Sequence, residues 1–312
     1  MPYRLQSGEP VPVGLRRLAR EELDSAVALL RQANARTLDD AIHEARKSVK
    51  KVRAILRLMQ VELGPTYTRE NRRLRDLARR LSPYRDATVM VETLDHLRKH
   101  LPGAASLRQW AGFRRAVSWH RQRLLLGSRV TSAMRSAADG LEAASNRVTR
   151  WRLIVDGPLA LEPGMETAYR RGRKAMGSVQ RHTRPESCHE WRKRVKDHWY
   201  HLRLLESRWN APARTRERRL KDLETCLGEH HNLAVLSARL TALPGDEPME
   251  KKLWRAVIRQ RQRELRAAAL ELGRHLYGAE PETFRKSMME LWRPARSARF
   301  RYGSPRKAET AV

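Results

Sequence analysis

HEARKSVKKVRAILRL runs from His43 to Leu58, and HEWRKRVKDHWYHLRL runs from His189 to Leu204. The second stretch lies 146 residues after the first, and nine of sixteen positions are identical. The matches are His43/His189, Glu44/Glu190, Arg46/Arg192, Lys47/Lys193, Val49/Val195, Lys50/Lys196, Leu56/Leu202, Arg57/Arg203 and Leu58/Leu204. The same offset lays LRDLARRLSPYRDATV, from Leu74, on LKDLETCLGEHHNLAV, from Leu220. There Leu74, Asp76, Leu77, Leu81 and Val89 meet Leu220, Asp222, Leu223, Leu227 and Val235. Two segments in one register, without a gap, indicate duplication rather than a shared bias of composition.

Placed on a helix at 100° per residue from His43, Arg46, Lys50, Arg53 and Arg57 fall between about −80° and −20°, with Lys47 at about +40°. Ala45, Val49, Val52, Ile55, Leu56 and Met59 gather opposite. One face therefore packs, and the other is a rail of cations. The second copy repeats the rail with His189, Arg192, Lys193, Lys196, Tyr200 and Arg203, while Val195, Leu202 and Leu205 pack. A solvated helix face relieves such charge with Glu at i,i+4, but beyond Glu44 and Glu190 these rails carry little relief. Like charges at this spacing destabilise a helix on its own, and an anionic ligand offsets that cost. Arg presents a planar fork that fits phosphate oxygens, and Lys adds a point charge. A rail of four turns spans ~20 Å, which suits a chain of phosphates better than one nucleotide. His43 and His189, each opening a rail, are expected to donate hydrogen bonds or to become charged beside a polyanion. His198, His201, His230 and His231 either add donors or stay on the surface.

Outward from the repeat, the 312 residues read as helical nearly throughout. Leu, Ala, Arg, Glu and Lys dominate, and apolar residues recur at three and four, as at Leu15, Leu18, Leu23, Val27 and Leu30. Breakers fall at Gly64-Pro65, Ser82-Pro83, Pro102-Gly103, Gly157-Pro158, Pro163-Gly164, Pro212, Pro244-Gly245, Pro281 and Pro294. The expected fold is all-α: two similar halves of the four-helix-bundle type, residues 14–155 and 156–293, related by a pseudo-two-fold. A basic, poorly ordered tail is expected over 294–312.

Composition narrows the partners. Lys plus Arg number 65 and Asp plus Glu 35, a formal charge of +30. Solubility needs far less, so a polyanion is implied: nucleic acid, anionic membrane or a phosphate polymer. The first fourteen residues hold no apolar stretch of a secretory signal, and no apolar run approaches the ~20 residues of a membrane span. Cys188 and Cys226 form no C-x-x-C pair and no disulfide framework. These readings place the protein in the cytoplasm, without a membrane role.

Catalysis finds little support. The phosphate-cradling G-x-x-x-x-G-K-[ST] is absent, and no cofactor signature appears. Asp222 and Glu224 are candidate metal ligands, but carboxylates on a charged helix usually face solvent. His189-Glu190 opens like H-E-x-x-H, yet Lys193 stands where the second histidine belongs. His96 and His100 have metal-ligand spacing and are read as exposed. No metal or other cofactor is expected. Nucleic acid is the main rival ligand, since Trp110, Trp119, Trp151, Trp191 and Trp199 are able to stack on bases if they are not core. A third reading is a protein that coats granules or scaffolds others.

The two HExRKxVK helices, each followed by an L-x-D-L-x3-L segment ending in YRD or HHN, resemble the CHAD family, the conserved histidine α-helical domain, from about Gly14 to Trp292. The resemblance implies two related helical bundles meeting at a basic central cavity that binds inorganic polyphosphate without catalysis; a place on polyphosphate granules belongs to the third reading above. It implies that the rail residues line the cavity, that Arg85-Asp86 is the family's Arg-Asp pair, and that YRRGRKAM, with Arg171 and Lys174, is the helix opening the second half. His231, the middle residue of the HHN segment, is placed with them. Two departures stand out: Asn232 replaces a frequent Asp, and Trp199 stands where the first copy has Arg53. The E-x-E-x-K hallmark of the triphosphatase domain that accompanies some members is absent, so the chain resembles a stand-alone form.

Overall fold

A computed structural model describes residues 3–6, 8–100, 103–206, 211–242 and 248–290, and among these it contains helices and no strand. In chain order they are α1 (Val11–Gln32), α2 (Leu38–Leu58), the single turn α3 (Gln60–Leu63), α4 (Pro65–Arg80), α5 (Ser82–Leu97), α6 (Gly103–Leu126) and α7 (Ser128–Val148). Then follow α8 (Pro158–Arg181), α9 (Pro185–Leu204), α10 (Ala211–Ala242), α11 (Pro248–Tyr277) and α12 (Pro281–Glu290). The expected tail over 294–312 lies outside the described residues.

Prolines mark beginnings rather than ends. α1, α4, α5, α8 and α9 each carry Pro in their first two positions, where the missing N–H is not needed. Gly64 (φ 49°) and Gly157 (φ 75°) turn the chain into α4 and α8 with a backbone that other residues rarely adopt. Pro163 is an exception, since α8 continues through it. The breaker count implied roughly four helices per half. Among the described residues, six helices of sixteen residues or more precede residue 155 instead, because the turn from α1 to α2 holds neither Gly nor Pro and the turn from α6 to α7 is marked by Gly127 alone.

α1 packs between α2 and α7. α9 packs between α8 and α10, which in turn packs on α11. The main apolar core runs without a break from Tyr3 to Met288, drawing on residues before and after 155. A smaller core joins α5 to α10 and α11 through Leu94, Leu97, Leu233, Leu236, Trp254 and Ile258. The apolar face read on α2 is the buried one: Ala45, Val49, Val52, Ile55, Leu56 and Met59 are all at most 1% exposed. Burying faces of this kind is the main driving force of the fold. On the back of α2, Ser48 and Lys51 both bond the buried carboxylate of Glu22 on α1. Lys51 therefore points away from the rail.

Three contacts fix α2 against α8 and α9. The His201 Nε2–H donates to the Ala54 carbonyl oxygen at 2.9 Å. Arg57 pairs with Asp197 of α9 at 3.0 Å. At Gly164 of α8, an added Cβ would lie 1.9 Å from the Leu58 carbonyl oxygen, so backbone rests on backbone there.

Candidate functional site

Between α2, α5, α9 and α10 lies a cavity of about 680 Å³. α2 contributes His43, Arg46, Lys50, Arg53 and Arg57. α9 contributes His189, Arg192, Lys193, Lys196 and Tyr200, and with them Arg194 and Asp197. From α5 come Arg85, Asp86 and Glu92, and from α10 come His231 and Asn232. Nine Lys or Arg thus face three carboxylates in one hollow, and that imbalance sets the electrostatics of the site.

Four of the sixteen candidates lie elsewhere. Lys47 leans onto Glu44 at 2.8 Å, as its tilt off the rail would allow. Arg203 covers the Trp199 ring, its guanidinium carbon 5.4 Å from the centroid. Arg171 borders a separate small crevice with Arg57 and Asp197. Lys174 is exposed on α8 and borders none of the cavities described here.

The two rails are held differently. On α2, Arg46 Nη1 donates to the Ala78 carbonyl oxygen at 2.8 Å and to the Ser82 hydroxyl, while Arg53 Nε donates to Asn71 Oδ1 at 2.9 Å. All three acceptors are neutral. Lys50 makes no ion pair among the described residues. Burial, with Lys196, Arg46 and Arg192 close by, pushes its amine from 10.5 down to about 7. Burial and the neighbouring Arg57 likewise lower Arg53 to about 10.

On α9 a carboxylate intervenes. Glu224 of α10 is 4% exposed, and its Oε1 accepts from Arg192 at 3.2 Å and Lys196 at 3.0 Å. Its Oε2 accepts from Lys221 at 2.9 Å. Burial alone would raise this carboxyl, but Lys196, Arg192 and Lys221 outweigh it and hold it at about 2. The expectation that Glu224 faces solvent is thereby corrected. Asp222 is exposed.

His189 and His231 stack at 4.0 Å between ring centroids. Burial first lowers both, with Lys193 and Arg192 adding to it at His189, and His189 and Arg192 adding to it at His231, which falls to about 4. His43 is lowered too, by burial first and Arg85 second. His198 and His201 are core residues at 0% and 1% exposure, and His230 is buried as well. None of these three is a surface or cavity donor. Among the tryptophans, Trp151, Trp191 and Trp199 are buried, whereas Trp119 is 61% exposed beside Arg123.

Sequence reasoning missed Asp197, Arg194 and Glu92, and it gave Glu224 to solvent. Asp197 and Arg194 adjoin rail residues, but their facing depends on how α9 turns within the fold. Glu224 left one signal: the second copy carries a carboxylate where the first has Ala78. The described residues bring together no three His, Cys, Asp or Glu able to hold a metal ion. Burial pushes the Cys188 thiol up to about 11, the wrong direction for a nucleophile. No helix of the described residues is long and apolar enough to cross a membrane.

A family model described as the CHAD domain matches residues 17–241. The chain is similar to the crystal structure of the CHAD domain from the plant Ricinus communis, with a TM-score of 0.57 and 18% identity over 90% of this chain and 97% of that one. It is also similar to PptA from Streptomyces chartreusis, with a TM-score of 0.57 and 16% identity over 87% of this chain and 100% of that one. A search of curated proteins finds no match.

Proposed function

The chain belongs to the CHAD family, and from that premise we propose that it binds inorganic polyphosphate in the cavity between α2 and α9, without catalysing a reaction on it. The observation that carries this reading is the excess of nine cations over three carboxylates in one hollow of about 680 Å³. Arg46, Lys50, Arg53, Arg192 and Lys196 form the phosphate-contacting surface, with His43, His189 and His231 as additional donors. The α2 rail spans ~20 Å, so it meets several consecutive phosphates rather than one. Duplication of an ancestral half explains why two such rails face each other, and we infer a pseudo-two-fold between the halves. Retention is electrostatic: a polyanion releases counterions as it replaces them along the rails. In the cell this activity places the protein in the cytoplasm, on or near polyphosphate granules.

Competition at physiological salt tests the reading against nucleic acid. Labelled long-chain polyphosphate is bound first. Single-stranded RNA and duplex DNA are then titrated at equal phosphate concentration. Poor displacement by both is expected, because bases and sugars add bulk that the cavity must accommodate. Equal displacement would make the protein a general polyanion binder and would move attention to exposed basic surfaces such as Arg123 beside Trp119.

A further inference from the structure

In the register of the sequence repeat, Glu224 stands opposite Ala78, Gly228 opposite Ser82, Lys196 opposite Lys50 and Arg192 opposite Arg46. The two sets of side chains meet different partners. Arg192 and Lys196 share a buried carboxylate oxygen of Glu224. Arg46 is held only by a backbone carbonyl and a hydroxyl, and Lys50 by no ion pair among the described residues. Arg53 adds a third cation on a neutral partner. Arg46 and Arg53, buried on neutral acceptors, keep their charge for a ligand, and Lys50 regains its proton as a polyanion approaches, while a cation already paired must exchange its partner or share it.

Resting on polyphosphate binding as proposed above, we propose that the cavity holds two unequal anion subsites. Arg46, Lys50 and Arg53 form the primary one, and Glu224 acts as an internal stand-in for a phosphate at the other, neutralising Arg192 and Lys196. A phosphate chain is thus anchored on the α2 side, and its contacts on the α9 side are weakened by the resident carboxylate. Glu224 has a second consequence in the empty protein: it prevents Arg192, Lys196 and Lys221 from repelling one another. The arrangement fixes where a chain seats first and limits how tightly it is held.

Inorganic tripolyphosphate is the probe, titrated calorimetrically at pH 7 against the full chain, Glu224→Gln and Ala78→Glu. Glu224→Gln is nearly isosteric and keeps an oxygen acceptor. It should bind about tenfold more tightly, because two cations are freed from a carboxylate within hydrogen-bonding distance. Ala78→Glu places a carboxylate at the corresponding position of the first copy and should weaken binding about tenfold or more. Circular dichroism establishes that each variant folds, and either folded variant decides the matter alone. Unchanged or weaker binding by Glu224→Gln, or unchanged binding by Ala78→Glu, overturns the unequal subsites while leaving polyphosphate binding intact. Absence of binding by the unaltered chain overturns both.

Discussion

Lys50 gives the sharpest test of whether the cavity works by charge. Its amine is buried among Lys196, Arg46 and Arg192, with Glu224 as the acid acting on it, and it is held at about 7 rather than 10.5. Burial is the first cause of the shift and the neighbouring cations the second, and a polyanion placed beside the amine offsets both, so binding should draw a proton onto it. At pH 8 about nine-tenths of the empty cavities carry Lys50 neutral, so about 0.9 proton is taken up per binding event. Each pH unit above 7 then costs about 1.36 kcal/mol, a factor of ten in affinity, until the amine's value in the complex is reached. If the full three and a half units are restored, the span is up to about 5 kcal/mol.

Calorimetry of polyphosphate binding at pH 8 in Tris and in HEPES measures that proton, since the two buffers release it with different heats. His43, His189 and His231 also face the ligand, and their contribution must be separated. Lys50→Arg does this, because an arginine in this range keeps its proton while preserving the charge. The variant should take up about 0.9 fewer protons at pH 8 and should bind more tightly than the parent at pH 9. If Lys50→Arg takes up as many protons as the parent, or if both buffers give the same heat with the parent, the electrostatic reading of Lys50 is wrong.

Charge reversal at Arg46, Lys50, Arg192 and Lys196 together should abolish polyphosphate binding in a filter assay while far-ultraviolet circular dichroism stays helical; binding that persists would place the site elsewhere. Affinity should fall steeply with salt, with a log–log slope of about −4 to −5 for roughly six uncompensated cations, by analogy with nucleic acids; a flat response contradicts the mechanism. His201, lowered by burial to about 4 from 6.5, binds a proton in the unfolded chain before it does in the folded one. Its contribution is therefore present above pH 6.5 and is lost as the pH falls toward 4, up to about 3 kcal/mol in all. Urea titrations over that range should show a shallower pH slope in His201→Gln, and an unchanged slope would remove His201 from the account. Gly164→Ala should cost at least about 3 kcal/mol, because the Leu58 backbone cannot move aside for a methyl group; a shift below about 0.5 kcal/mol in urea unfolding would refute the close contact.

What the sequence made legible was whatever a single helix decides. The apolar face of α2 and the rail opposite follow from spacing alone, and the buried residues are the ones the spacing selects. Of the pairs matched in the sequence, His43 and His189, Arg46 and Arg192, and Lys50 and Lys196 all line the cavity, whereas Lys47/Lys193 and Arg57/Arg203 each send only one member there. Illegible were the partners supplied by other helices. Glu224 reaches Arg192 across 32 residues and Asp197 reaches Arg57 across 140, so neither shows in a local pattern. The seeming lack of counter-charge on the rails is thus true of α2 near Lys50 and untrue of α9. α9 itself misled for a related reason. Packed between α8 and α10, with α2 also against it, it buries His198, His201, Trp199 and Tyr200 around much of its girth, well beyond the face that Val195, Leu202 and Leu205 marked. Trp199 also explains why Arg203 leaves the cavity: the indole offers the guanidinium a surface to lie on, which Arg53 in the first copy does not offer Arg57.

Where α8 crosses the end of α2, Gly164 lets main chain bear directly on main chain. Interfaces padded by side chains have some give, since rotamers shift and a methyl group slides. This junction has no such cushion, and the His201 bond to Ala54 ties α9 to the same helix a single turn earlier. The spacing between the two cationic rails is therefore set like the jaw of a fixed gauge. A flexible polyanion of the kind proposed above would adjust to the opening, whereas a stiff one would have to match it.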